Sequence, residues 1–282
     1  MRKMVIWGSA LLAGAVLATA VLLLWPGRAQ MWLYPLVRQT AQAKMNYETR
    51  SLTVYETAHF TVKYDRQDAD VVQMVAQAAE KAYQPVTDAL GYSPAGKTLI
   101  LMYPNRQELN QAFGWSGDQS AMGVYWGGVI QILSPHVWLK DTSPEEFIRT
   151  GPMVHEFTHL VFDHMTEGNY PRWFTEGLAQ YVEYKVNDYE WRSPSNSLGG
   201  KLYTMAELDA NFDALPDQSL AYRESLAAVR YIAEVYGDGK LRQVIGALQA
   251  GKNLQAAIGD SLGLDYDAFA ADWEKWAAAT MH

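Results

Sequence analysis

The chain has 282 residues, enough for one large domain or two modest ones, and its 49% hydrophobic content is that of a folding sequence. Removing Arg2, Lys3 and Arg28, the only charges of the first 28 residues, takes the formal charge from −8 to −11, and no Lys/Arg cluster relieves that acidity, which argues against a nucleic-acid partner. Cysteine is absent, which excludes disulfides, thiolate metal sites and a cysteine nucleophile, so a bound metal must be held by His, Asp or Glu.

Met4 to Trp25 is a run of 22 uncharged residues. At about 1.5 Å per residue it matches the ~30 Å hydrocarbon thickness of a bilayer. Arg2 and Lys3 precede it, which places the amino terminus in the cytoplasm and everything after Pro26 outside. A cleaved signal peptide competes with this reading, because Ala18-Thr19-Ala20 has the form of a cleavage site. The apolar run continues past it, however, and signal cores are usually only about 7–15 residues. A retained anchor over residues 1–28 is favoured, and both readings export the rest. Residues 29–50 mix apolar and basic residues and form a juxtamembrane linker, which could be a spacer, a docking helix or an occluding element.

A domain over residues 51–282 follows. His59 to Tyr64 alternates and reads as a strand, Asp70 to Leu90 as a helix ending on Gly91 with Pro85 able to kink or split it, and Lys97 to Tyr103 as a buried strand. Gly123 to Leu133 reads as a third strand, with the adjacent Gly127-Gly128 suggesting a bend or a close backbone approach. From Ser143 onward the pattern is helical: Ser143-Pro144-Glu145-Glu146 opens a helix that runs through the next motif with a break near Gly151-Pro152. Further helices are expected over about 172–186, 220–236, 239–250 and 266–279. Strands first and helices afterwards indicate an α+β fold.

The central motif is His155-Glu156-Phe157-Thr158-His159. Residues four apart share a helix face, so two imidazoles can reach one ion, and Glu156 between them is placed to act on a water rather than to be a ligand. A zinc site of this kind needs a third protein ligand. Downstream, Pro171-Arg172-Trp173-Phe174-Thr175-Glu176-Gly177 puts Glu176 17 residues past His159. A turn at Gly168–Pro171 and a returning helix bring it back to the histidines, and Gly177 lets two backbones approach. His164 is turned about 140° away from the motif face. His59, His136 and His282 lack ligand spacing, and Glu183 is a weaker ligand candidate. Glycine and histidine three and six residues past His159 would mark a metzincin, but Phe162 and Met165 stand there.

With HEFTH followed by PRWFTEGLAQYVE, the chain resembles the gluzincins, and specifically the bacterial peptidase-MA-like domains, over roughly residues 51–280. The resemblance implies a zincin-like fold with one Zn2+ held by His155, His159 and Glu176, and Glu156 as general base and acid. It implies that Gly123–Leu133 is the edge strand along which a peptide adds, making Gly123, Tyr125 and Trp126 candidate substrate contacts. A later helix would supply an oxyanion donor, for which Tyr222 is the candidate, and Gln180 could support the ligands. Clan aminopeptidases carry a GxMEN-like segment whose acid binds the substrate amine. Met122–Trp126 has no acid, which favours an endopeptidase. A catalytically silent zincin acting as a membrane-surface binding module, and a metal-free interaction protein, are the other two readings.

Overall fold

A computed structural model of the chain describes residues 26–115, 121–140, 143–193 and 196–281, with side chains from Met31 onward. Met4–Trp25 and His282 lie outside the described residues; within them no helix is long and apolar enough to cross a membrane.

The fold is mixed α+β, with every described strand before residue 134 and helices after it. Strands β1 (Thr53–Glu56), β2 (Phe60–Tyr64), β3 (Thr98–Tyr103), β4 (Gly123–Trp126) and β5 (Val129–Leu133) form one sheet in the order β1-β2-β3-β5-β4. The inner strands β2, β3 and β5 run parallel, and β1 and β4 pair antiparallel on the outside. The expected single strand over Gly123–Leu133 is corrected to a hairpin. Gly127 and Gly128 both have positive φ, 59° and 80°, as a two-residue primed turn requires, and glycine adopts this without strain. The hairpin moves β5 inward and leaves β4 as the edge.

Alternation along the strands sorts the core into two layers. Phe60, Val62, Ile100, Met102, Ile130 and Ile132 belong to the main core, shared with α2 (Val72–Leu90). That helix buries Val72, Val75, Ala79, Val86 and Leu90 at helical spacing and ends on left-handed Gly91; Pro85 neither ends nor splits it. Leu99, Leu101 and Val129 face the other way, where Met45 of α1 (Pro26–Glu48) packs on them. Lys63 of β2 donates to Asn46 Oδ1 at 2.8 Å and to Thr49 Oγ1 at 3.1 Å, and Gln42 donates to the Gly128 carbonyl at 2.9 Å. Residues 26–48 thus form a helix packed on this face of the sheet.

The break near Gly151-Pro152 divides α4 (Pro144–Thr150) from α5 (Met153–Thr166), and the Ser143 hydroxyl caps α4 by accepting from Glu146 N–H. Then come α6 (Arg172–Asn187), α7 (Met205–Asn211), α8 (Gln218–Tyr236), α9 (Asp238–Gln249), α10 (Leu254–Leu262) and α11 (Tyr266–Thr280). The sequence reading contained neither β1 nor α3 (Arg106–Phe113), α7 and α10. Each is too short for hydrophobic periodicity to register.

Candidate metal centre

Helix α5 is fixed in rotation by its apolar face. Phe157 is fully buried, with its ring 5.3 Å from Phe60 and 5.5 Å from Tyr83, a burial worth about 2–3 kcal/mol. Because Phe157 sits half a turn from His155 and His159, seating it on the sheet directs both imidazoles toward α6. Helix α6 returns after left-handed Glu167 and Gly168. Its Trp173 indole donates to Asp209 at 2.7 Å, and Glu176 is almost wholly buried. Gly177 does permit a close backbone approach, but the partner is α8 rather than α5: a Cβ there would meet the Ser225 carbonyl oxygen at 2.1 Å.

The three expected ligands converge. His155 Nε2 lies 3.1 Å from His159 Nε2 and 3.2 Å from Glu176 Oε2, and His159 Nε2 is 3.4 Å from the same oxygen. A tetrahedral ion with bonds of about 2.0–2.1 Å has its ligand atoms about 3.3–3.4 Å apart, so the triad has the dimensions of a zinc site. The contacts on the far side of each ring fit as well. His159 Nδ1 is 2.7 Å from Thr175 Oγ1 and His155 Nδ1 is 3.5 Å from Glu183 Oε2. With the protons on Nδ1, two Nε2 lone pairs face each other, an arrangement that a cation stabilises. Burial opposes charge on His155, but Glu176 and Glu183 outweigh it and hold its pKa well above the ordinary imidazole range. Burial holds His159 below that range. Among the described residues this is the one group of His, Asp and Glu placed to hold a metal.

Three supporting residues were not assigned by sequence. Arg172 Nη1 sits 2.5 Å from Glu176 Oε1 and its Nε 3.2 Å from Asp213. Burial pushes the Glu176 carboxyl up, but Arg172 and the two histidines override it and keep it well below the usual carboxylate range. Glu183, weighed as a weak ligand, instead stands behind His155, and Thr175 stands behind His159. The i,i+4 spacing of Arg172 and Glu176 was the available signal for the first. Gln180 does not touch the histidines; its amide donates to the Tyr222 carbonyl at 2.8 Å and to the Glu176 carbonyl at 3.2 Å, pinning α8 to α6.

Glu156 is buried beside the triad and its pKa is pushed up to about 7, by burial first, with Glu176 adding and His155, Arg172 and the Tyr125 N–H opposing. Gly123 of β4 rests directly on it, since a Cβ there would fall 2.8 Å from Glu156 Cγ and 2.7 Å from Pro152 Cβ. Tyr222 packs against Phe212 and Trp191, near enough to Glu176 and Glu156 for their charges to add to burial in raising its pKa.

The side chain of Tyr125 is already engaged. Its ring stacks on His159 with centroids 6.5 Å apart, and its hydroxyl donates to Asp163 Oδ2 at 2.5 Å. Asp163, wholly buried on α5, also accepts from Tyr34 at 2.7 Å, Tyr170 at 2.8 Å and Arg38 at 3.0 Å. Trp126 is 55% exposed at the hairpin tip. His164 lies away from the site, its Nε2 buried without a partner and its pKa held down to about 4 by burial.

A model of the Peptidase MA superfamily matches residues 80–279. No curated protein matches. Among 28 similar solved chains are Legionella pneumophila aminopeptidase A in complex with aspartic acid and a two-domain M1 zinc metallopeptidase, an E323A mutant bound to L-tryptophan. The first is 12% identical with a TM-score of 0.49 and the second 15% with 0.44; each alignment covers 79% of this chain. The chain spans 27% and 50% of their respective lengths.

Proposed function

The chain belongs to the Peptidase MA superfamily, a zinc metallopeptidase group, and on that premise we propose that it is a membrane-anchored, extracytoplasmic zinc endopeptidase. The observation that carries the reading is the convergence of His155, His159 and Glu176 at zinc-ligand spacing beside a buried Glu156. One Zn2+ held by the three would supply a Lewis acid and lower the pKa of water.

The chain's own residues supply the rest. Glu156, buried beside the triad, takes the proton of the attacking water and delivers it to the leaving amine. The unpaired outer side of β4 accepts the peptide main chain as an added strand, with Gly123 keeping that strand pressed to Glu156. Substrate contact on β4 is assigned to its backbone and to Trp126, because the Tyr125 hydroxyl is committed to Asp163. Tyr222, whose α8 backbone Gln180 holds, donates to the developing oxyanion. Endopeptidase action is supported by the absence of an acid in Met122–Trp126 to bind a free amine. The anchor is Met4–Trp25, with secretion after cleavage as the alternative.

The deciding experiment is cleavage of two internally quenched peptide libraries, one amino-blocked and one with a free amine, by the wild type and by Glu156→Gln, with zinc and with chelator. Zinc-dependent cleavage lost in the variant is expected. Cleavage only of substrates with a free amine would move the activity to an aminopeptidase, and zinc binding with no cleavage by either protein would leave a binding module.

A further inference from the structure

Helix α1 has two unlike faces. Tyr34, Arg38 and Gln42 bond the domain through Asp163, Glu167 and the Gly128 carbonyl, and Ala41 and Met45 pack beside them. At about 100° per residue these five cover one side of the helix. Trp32, Leu33, Leu36 and Val37 occupy roughly the opposite 140° and are 73%, 56%, 60% and 59% exposed. Single exposed apolar side chains are ordinary, but four contiguous ones on one helix face mark a surface made to be covered.

Position along the chain says by what. The four begin seven residues past Trp25, the end of the uncharged run, and farther along the same face the exposed residues become Thr40, Ala43, Lys44 and Tyr47. The tryptophan and the large aliphatic side chains of this face are thus confined to the end nearest the anchor. A straight continuation of the anchor would carry Leu36 about 16 Å past Trp25, beyond the roughly 5–8 Å of headgroup layer per leaflet. A change of direction between the anchor and Trp32 would keep all four within it. Tryptophan at the leading position is the side chain that most favours this boundary.

We propose that α1 lies along the bilayer surface with Trp32, Leu33, Leu36 and Val37 in the headgroup–acyl boundary, seating the domain on the membrane in one orientation. The proposal rests on the anchor reading above. The contact is apolar, made by four uncharged side chains, so it is insensitive to salt.

The absence of cysteine makes the test clean. Leu36→Cys, with Val54→Cys and Val235→Cys as controls at sites 48% and 50% exposed on β1 and α8, gives single labelling positions in the full chain. Each protein is reconstituted into phosphatidylcholine vesicles, labelled with an environment-sensitive fluorophore and exposed to lipids carrying a nitroxide near the headgroup. Quenching at position 36 is expected to exceed that at both controls several-fold, at low and high salt alike. Equal quenching at all three sites, in vesicles that retain the chain through alkaline carbonate, would overturn the proposal while leaving the anchor intact. Excimer emission from pyrene at position 36 without lipid quenching would assign the face to a second copy and overturn it. Release of the chain by carbonate would overturn the anchor reading itself, and this inference with it.

Discussion

Gly177 of α6 lies so close to Ser225 of α8 that a methyl group on it would sit 2.1 Å from the Ser225 carbonyl oxygen and 2.8 Å from Val229 Cγ2. The obstacle is mostly backbone, which cannot rotate aside. Gly177→Ala therefore forces the helices apart and drags the neighbouring Glu176 from the histidines. Destabilisation of about 3 kcal/mol is expected, at the upper end of overpacking costs. For a chain of this size that is a fall in Tm of roughly 6–12 °C, read calorimetrically alongside a reduced zinc content.

Glu183→Gln leaves His155 Nδ1 with a neutral partner and removes a charge from behind the ligand. Zinc affinity is expected to fall about 10–100-fold with the fold retained, as competition with a chromophoric chelator would show. Thr175→Val tests the equivalent contact behind His159. Unchanged affinity in both variants would mean that neither residue orients its histidine.

Glu156→Gln keeps the volume and removes the proton acceptor. A loss of about 10²–10⁴ in kcat/KM, with zinc content unaltered, is the expected result of peptide cleavage assays paired with metal analysis.

The two histidines, Glu156 and Glu176 were legible because helix spacing alone sets their geometry: four residues make one turn, and a hairpin of known length returns the glutamate. What was illegible depended on rotation and neighbours. Gly127-Gly128 could signal either a bend in one strand or a turn between two, and only pairing with β3 decides which. Gln180 and Glu183 lie three residues apart on α6, and nothing in their spacing says which one meets His155. Asp163 carries no signal in the sequence, because its partners Tyr34, Arg38 and Tyr125 come from segments 38 to 129 residues away.

Asp163→Ala would remove the shared acceptor of three tyrosine hydroxyls and leave the buried Arg38 guanidinium paired with Glu167 alone. A cost of about 3–5 kcal/mol is expected in urea unfolding, against about 1 kcal/mol for Tyr125→Phe, which removes one bond. Equal losses in the two variants would show that the carboxylate does not unite the network.

Glu224, fully buried on α8, accepts the Tyr203 N–H, yet burial raises its pKa to about 8 from an ordinary 4.5. Between those values the folded chain binds more protons than the unfolded one, so stability falls as pH rises through that window. Glu224→Gln keeps an acceptor for Tyr203 and removes the slope. Comparing urea midpoints at pH 5 and pH 8.5, the variant should gain roughly 3–5 kcal/mol relative to wild type at the higher pH.

The carboxylate of Asp163 joins α1 to β4 through three side-chain bonds, two from α1 and one from β4, and this bears on reach. A catalytic domain on a flexible leash sweeps a hemisphere whose radius grows with the leash. One bolted to the helix that leaves its anchor does not sweep; it works at a single height. For a chain held at its amino terminus, a scissile bond must come to that height, so a protein's distance from the anchoring surface becomes a criterion for cleavage, in addition to the residues on either side of the bond.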